Sequence, residues 1–443
     1  MKYYSTNKRA PLVTFKEALL RGLAPDGGLY MPQSFPKFPI SFWNDIEKTS
    51  SGRVAFDLLR HFITDIPAPA FKKIIRDAFN FPAPLVRLND NVYVLELFHG
   101  PTLSFKDFGA RFMARTMGYY LRSQKKKLYI FVATSGDTGS AVAHGFFNIP
   151  GVRVFILYPS GRVSRNQEKQ LTTFGKNITA FEIKGNFDDC QQLAKQLLND
   201  PDIRKRALVS SANSINIGRL LPQMFYYLFG WAQLQSRRTV ELSSCQVPIF
   251  VVPSGNFGNI CAGLFAKKLG LPAKKFIAAV NINSGVPEYL KTGRLPVKKT
   301  RRTLSSAMDV GLPSNFARIL DLYGHNRESL QKDLDAAIVT DRETKKTIHE
   351  TYEKYGYIAD PHTAVGIAAG LRYRESGRGN DPIIVLSTAH PAKFPEAVEK
   401  QIKEKLTVPG SLRRIIRRKN RGVLAKNNPE DLKRLIGKYI KHP

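Results

Sequence analysis

The run His99-Gly-Pro-Thr-Leu-Ser-Phe-Lys-Asp-Phe-Gly109 follows the apolar stretch Val92-Tyr-Val-Leu-Glu-Leu97 and sets Lys106 between a strand-like and a helix-like segment. Phe105 and Phe108 hem it in. An ammonium with apolar neighbours gives up its proton more readily, because burial disfavours the charged form. A neutral amine so placed forms an imine with a carbonyl, an aldehyde above all. The segment alone leaves a second reading open, a lysine near a helix start whose stem packs while its head stays in water.

Two glycine-rich turns weigh on that choice. The first, Ala133-Thr-Ser-Gly-Asp-Thr-Gly-Ser140, follows the short, apolar, β-prone Leu128-Tyr-Ile-Phe-Val132 and precedes a helix-like run to Phe147. Small residues at such a turn leave backbone N–H groups and the hydroxyls of Thr134, Ser135 and Thr138 free for an anion. The second, Ser254-Gly-Asn-Phe-Gly-Asn259, lies between the strand-like Val247-Pro-Ile-Phe-Val-Val252 and the helix-like Ile260 to Leu269. Gly255 and Gly258 let backbone approach a phosphate with no Cβ in the way. One such turn is an ordinary connector. Two of them behind buried strands, with a guarded lysine upstream, point to an anionic cofactor held in a cleft.

The elements that must position these residues follow from periodicity. Residues 1–91 carry mostly helical patterns, such as Val54 to Ile63 and Ala70 to Phe79, and no evident chemistry. From Val92 onward, short apolar runs at 92–97, 128–132, 152–157, 178–183, 247–252, 276–280 and 383–386 read as strands. Between them, 106–121, 164–174, 187–199, 215–235, 345–355 and 363–373 read as helices. Alternation of this kind predicts parallel sheets covered by helices. Such sheets bind ligands beyond their carboxyl ends. Lys106, both turns and Thr388 all fall at such ends. The expected division is 1–91, a smaller subdomain at 92–235 and a larger one at 236–443 ending in a basic segment.

Composition limits the alternatives. With 443 residues, 43% apolar and 23% charged, the chain has room for more than one domain. Cys190, Cys245 and Cys261 are too widely spaced for a disulfide framework or metal cluster, and the eight histidines show no ligand spacing. No metal site is expected. The start lacks the apolar core of a signal peptide and no stretch is long enough to span a membrane, so a cytoplasmic protein is expected. The net charge of +32 is unusual. Part of it lies in Ser411 to Pro443, with eleven Lys/Arg against two Asp/Glu. That run reads either as a solvated helical face or as a patch for nucleic acid or another polyanion.

The segments Gly22-Leu-Ala-Pro-Asp-Gly-Gly-Leu-Tyr-Met-Pro32, Asn213-Ser-Ile-Asn-Ile-Gly-Arg219, Ala307-Met-Asp-Val-Gly311, Asp360-Pro-His-Thr-Ala-Val-Gly366 and Thr388-Ala-His-Pro-Ala-Lys-Phe394, with Lys106 and both turns, resemble the threonine synthase family almost end to end. The resemblance implies an α/β fold of the fold-type-II pyridoxal-phosphate class, like the tryptophan synthase β chain, with two parallel-sheet subdomains behind a mainly helical N-terminal domain. It implies that Lys106 binds pyridoxal 5'-phosphate covalently and shuttles protons. Ser254, Gly255, Asn256, Phe257, Gly258 and Asn259 would cradle the cofactor phosphate, Thr388 would meet the pyridine nitrogen, and Asp137 would stand near the ring oxygen, unless it caps the following helix. Thr134, Ser135 and Thr138 match positions for the substrate carboxylate. Ser214 and Arg219 match positions for the phosphate of O-phospho-L-homoserine, with Asn259 and Lys393 as further candidates. The implied reaction expels that phosphate and adds water at Cβ to give L-threonine. Two alternatives stand beside it, a related phospho-lyase that yields 2-oxobutyrate and a non-catalytic polyanion-binding paralogue.

Overall fold

The computed structural model describes residues 1–124, 126–237, 247–296, 299–377 and 380–440. Cys245 and the last three residues of the basic tail lie outside them. Two parallel sheets dominate. The larger runs Leu334–Ile338, Lys275–Val280, Ile249–Pro253, Ile383–Ser387, Val92–Glu96, Leu85–Asn89, with only the last pair antiparallel. The smaller, all parallel, runs Val423–Ala425, Ile178–Ile183, Val152–Pro159, Leu128–Ala133, Leu208–Ser211. The central strands Ile249–Pro253, Ile383–Ser387 and Leu128–Ala133 are buried along their whole length. Their continuous apolar runs are what a sheet covered on both faces requires.

Sheet membership does not follow contiguous spans. Val92–Glu96 belongs to the larger sheet, while Val423–Ala425, near the C-terminus, pairs with Ile178–Ile183 in the smaller one. The chain therefore crosses between sheets through the helix Lys106–Leu121, whose first residue is the candidate lysine. Phe108 anchors that helix. It is fully buried against the rings of Phe79, Phe81 and Tyr226. Burying such a ring stabilises the fold by about 2–3 kcal/mol.

Most expected elements are present, with shifted ends. The stretch 215–235 is instead Ile217–Leu220, a 3-10 turn Leu221–Gln223 and Met224–Ser236. Pro222 lies in that turn, where its missing N–H and ring break the helical ladder. The helix expected at 345–355 starts at Asp341, because Thr340 and Glu343 form a reciprocal capping box. The strands Leu85–Asn89, Leu208–Ser211, Leu334–Ile338 and Val423–Ala425 escaped the periodicity. Each is an edge strand with polar or half-exposed positions.

The N-terminal residues form the hairpin pair Tyr3–Ser5 and Tyr30–Pro32 and the helices Phe15–Arg21, Ser51–Arg60 and Ala68–Ala78. Asp26 shapes the Pro-Asp-Gly-Gly turn by accepting from Ser5 Oγ at 2.7 Å and Gly28 N at 3.0 Å. A Cβ on Gly28 would meet Ser5 Oγ at 2.1 Å, so only glycine fits there.

Candidate active site

Beyond the carboxyl ends of Ile249–Pro253, Ile383–Ser387 and Leu128–Ala133 lies a cleft of about 1350 Å³. Of the residues expected at the site, Lys106, Thr134, Ser135, Asp137, Thr138, Ser214, Arg219, Gly255, Asn256, Phe257, Gly258, Asn259 and Thr388 line it. Ser254 lies beneath the lining, buried, with Oγ donating to Asn259 Oδ1 at 2.8 Å.

Backbone pairing fixes where Lys106 stands. Leu97 N donates to Ser387 O at 2.9 Å, His390 N to Leu103 O at 3.1 Å and Phe105 N to Thr388 O at 3.0 Å. The loop before the helix thus runs beside the segment after Ile383–Ser387, and Lys106 arrives next to Thr388. Lys106 Nζ lies 3.6 Å from Asp137 Oδ2 and 5.3 Å from the Phe105 ring centre. Burial lowers its pKa, Asp137 opposes that, and Lys393 and Arg219 add to it. The amine is thereby easier to deprotonate than a surface lysine.

Asp137 is not a helix cap. The cap position of Asp137–Phe146 is Gly136, and the Asp137 carboxylate accepts from Lys393 Nζ at 2.7 Å and Gln167 Nε2 at 2.7 Å, both at Oδ1. Burial alone would raise its pKa, but the Lys393 and Lys106 ammoniums outweigh burial and hold it well below the usual carboxylate range. Gly136 has φ 136°, and a Cβ there would meet Gln167 Cδ at 2.6 Å. Glycine is required for the turn that lets Gln167 reach Asp137.

Both glycine turns present unpaired N–H groups. Across Gly255, Asn256, Phe257, Gly258 and Asn259, no backbone N–H finds an acceptor among the described residues. They open the helix Gly258–Lys268, with Phe257 in the left-handed region at φ 58°. Free donors join the positive end of a helix dipole here, an arrangement whose chemistry suits a phosphate. The Asn259 side chain is spent on the loop itself, donating to Pro253 O at 2.7 Å and accepting from Ile260 N at 3.0 Å. In the first turn, Thr134 Oγ1 accepts from Gly136 N at 2.9 Å and Gly139 N at 2.8 Å. The N–H groups of Ser135, Asp137 and Thr138 have no acceptor among the described residues. A smaller anion, such as a carboxylate, fits that set.

The close approach at Gly255 gives a direct prediction. A Cβ there would stand 2.7 Å from Ala307 O and 2.8 Å from Met308 Cα, backbone atoms that cannot swing aside. Gly255→Ala is expected to destabilise the protein by about 1–3 kcal/mol and to weaken phosphate-anchored ligands at least about tenfold. Thermal melts and a cofactor titration check both parts.

Arg219 is buried, with Nη1 donating to Ala212 O at 2.6 Å and Nε lacking a partner. Burial lowers its pKa to about 10, with Asp107 opposing, so it remains a cation at neutral pH. Ser214 Oγ accepts from Asn256 Nδ2 at 2.7 Å and Asn315 Nδ2 at 3.2 Å. The fully buried Arg318 ties this wall together through Tyr30 O at 3.1 Å, Ile215 O at 2.7 Å and Asn315 Oδ1 at 2.6 Å. The Thr388 hydroxyl has no partner among the described residues.

Other residues stand at the cleft beyond those assigned to it from the sequence, and one further candidate does not line it. Lys393 does not line the cleft and pairs with Asp137 instead of standing free for a phosphate. His362 does line it, with Nδ1 2.7 Å from Asp360 Oδ2 and Nε2 accepting from Ala307 N at 3.2 Å. Asp309 also lines it, pushed up to about 6 by burial although Thr303, Asn281 and Asn283 donate to it. The N-terminal residues, read as lacking chemistry, supply Asn7, Arg21, Pro25 and Gly27 to the wall. His99 and His390 flank the region without entering it, paired with Glu96 at 2.7 Å and Ala392 N at 3.1 Å respectively. Among the described residues no acid, histidine and cysteine cluster could hold a metal, and no helix is long and apolar enough to cross a membrane.

Comparison with known proteins gives a consistent result. Residues 78–389 match the family described as "Pyridoxal-phosphate dependent enzyme", residues 2–79 "Threonine synthase N terminus" and residues 363–436 "Threonine synthase, C-terminal". The chain is 41% identical to threonine synthase of Escherichia coli over 443 residues, covering 100% of each. It is 36% identical to that of Saccharomyces cerevisiae, covering 89% of this chain and 88% of the relative. The crystal structure of the Escherichia coli enzyme superposes with a TM-score of 0.91 at 40% identity, covering 99% of this chain and 100% of that one. A pyridoxal-phosphate-bound threonine synthase from Brucella melitensis gives 0.90 at 36% identity, covering 100% and 99%.

Proposed function

From the premise that the chain belongs to the threonine synthase family, we propose which of its groups carry each part of the reaction. The protein is a pyridoxal-phosphate-dependent lyase that takes O-phospho-L-homoserine and water to L-threonine and phosphate. The cofactor, when bound, supplies an aldehyde for amines and a conjugated ring that spreads the negative charge left by proton removal.

Each task then falls to a named group. Lys106 Nζ would hold the cofactor covalently and would serve as the base that removes and returns protons at the substrate carbons. Its lowered proton affinity suits both roles. The five unpaired N–H groups from Gly255 to Asn259 would hold the cofactor phosphate, on a loop that Ser254 and the Asn259 side chain staple in shape. Thr388 would offer its hydroxyl to the ring nitrogen. A hydroxyl, unlike a carboxylate, does not force that nitrogen to stay protonated, which makes the ring a milder electron sink. The N–H groups of Ser135, Asp137 and Thr138, with the side chain of Thr134, face the substrate carboxylate. Arg219 and Ser214 hold the leaving phosphate, for which a planar guanidinium provides paired charge-assisted bonds.

One observation carries this reading. A half-buried amine of depressed proton affinity shares a cleft with five consecutive free N–H groups at a helix start. Incubating the holoenzyme with O-phospho-L-homoserine tests it. Threonine should form in step with phosphate, and 2-oxobutyrate as the main product would replace this reading with a phospho-lyase. The basic C-terminal run lies on the surface, as both of its readings require. The helix Gly410–Ile416 buries Leu412 and Ile415 and turns Arg413 and Arg414 to solvent, with Arg417, Arg418, Lys419 and Arg421 exposed after it.

A further inference from the structure

Beneath the cleft floor lies a second lysine that the reaction scheme does not use. Lys393 is 0% exposed, on the 3-10 turn Pro391–Lys393. Its Nζ stands 2.7 Å from Asp137 Oδ1 and donates to Thr102 O at 2.9 Å. The turn that carries it is held from outside, by Ser164 Oγ on Lys393 O at 3.2 Å and Asn166 Nδ2 on Ala392 O at 3.0 Å. Thr102 is fixed in turn, its N and Oγ1 donating to Asp107 at 2.8 and 2.7 Å. The long side chain is thus held at both ends, at its backbone and at its ammonium. A fully buried ammonium is costly unless paired and hydrogen-bonded, so this arrangement calls for a reason.

We propose that Lys393 is a positioning residue, the counter-ion that lets an ionised Asp137 stand beside the Lys106 amine without locking that amine as an ammonium. The proposal rests on the reading that Lys106 carries the cofactor. Asp137 shares its two oxygens between two lysines, and the shorter contact goes to Lys393, at 2.7 Å against 3.6 Å for Lys106. Coulomb attraction falls with distance, so Lys393 takes the larger part of the carboxylate's pull. Lys106 keeps a directed partner in the longer of the two ion pairs. The other charged groups in reach are Arg219 toward Lys106, His362 toward Asp137, and Asp107 and His390 toward Lys393. None of them stands within ion-pairing distance of Asp137, so no other group can take the place of Lys393 there. With its ammonium, Asp137 presents a nearly neutral unit to the cleft.

The test is the pH titration of the visible absorbance of the substrate-free holoenzyme, a readout that a merely structural lysine would not move. Lys393→Met leaves Asp137 with Lys106 as its only cation, so the titration should move up by about one pH unit or more. Asp137→Asn should move it down, the Asp137→Asn/Lys393→Met pair should return it toward wild type, and Lys393→Arg should leave it near wild type. An unchanged or downward titration in folded Lys393→Met protein overturns the proposal. If that single variant does not fold, Asp137→Asn is compared with the double variant, and identical titrations for those two overturn it equally. Failure of the Lys106 reading would look different, as a borohydride-fixed cofactor recovered on some other side chain.

Discussion

Lys106→Ala protein supplied with pyridoxal phosphate and O-phospho-L-homoserine will turn over at least about 10³-fold more slowly than the natural chain, since the covalent anchor and the proton-transferring base are lost together. The fold should survive. Asp137 keeps its 2.7 Å contacts to Lys393 and Gln167 when the Lys106 amine is removed, so no buried carboxylate is left unpaired. Lys106→Arg should be as inactive as the alanine variant. A guanidinium supplies the charge but neither condenses with the aldehyde nor gives up a proton near neutral pH. A thermal melt beside the rate separates loss of chemistry from loss of structure. An arginine variant with substantial activity would show that the cation, and not the nucleophilic amine, is what the site needs.

Arg219→Ala should lower kcat/KM for O-phospho-L-homoserine by about 10²–10³-fold, chiefly through KM, the cost of removing one partner of a desolvated charge-assisted pair. The guanidinium is already buried, held by Nη1 on Ala212 O at 2.6 Å, and charged at neutral pH with its pKa near 10. Little ordering cost therefore remains when a phosphate arrives. Arg219→Lys keeps the charge and loses the planar fork, so its loss should be smaller, about 10-fold. Inorganic phosphate as a competitive inhibitor gives an independent check, weakening in the same order. A rise in KM for the alanine variant of less than about threefold would move the substrate phosphate elsewhere in the cleft.

The strands and helices that carry Lys106 and both turns were legible because each is a continuous apolar run closed by small residues. Lys106–Leu121, Ile178–Ile183 and Phe187–Asn199 are the spans that periodicity gives. Less legible were Leu208–Ser211 and Leu334–Ile338, where pairing with a long neighbour holds in the sheet a segment that its own composition does not mark as strand. At the site, the local motifs brought their residues to one cleft. The long-range pairings did not show in advance. Asp137 could be read only as a candidate cap or ring contact, since its partners Lys393 and Gln167 come from distant segments that topology alone brings together. Asn259 belongs to the right loop, but its amide closes the turn on itself, a matter of side-chain direction that residue type does not fix. The role of the Gly22–Pro32 segment as part of the cleft wall likewise depends on docking, through Arg318 on Tyr30 O and Asn216 Nδ2 on Leu19 O at 2.9 Å.

Every role assigned to the cleft depends first on the covalent bond at Lys106. Borohydride reduction of the holoenzyme, followed by proteolysis and mass analysis, reports which side chain holds the cofactor. The expected result is a single pyridoxyl-phosphate adduct on the peptide containing Ser104-Phe-Lys-Asp-Phe108, absent from the Lys106→Ala protein. An adduct on Lys393 or any other lysine, or a visible chromophore that persists unchanged in Lys106→Ala, would contradict it.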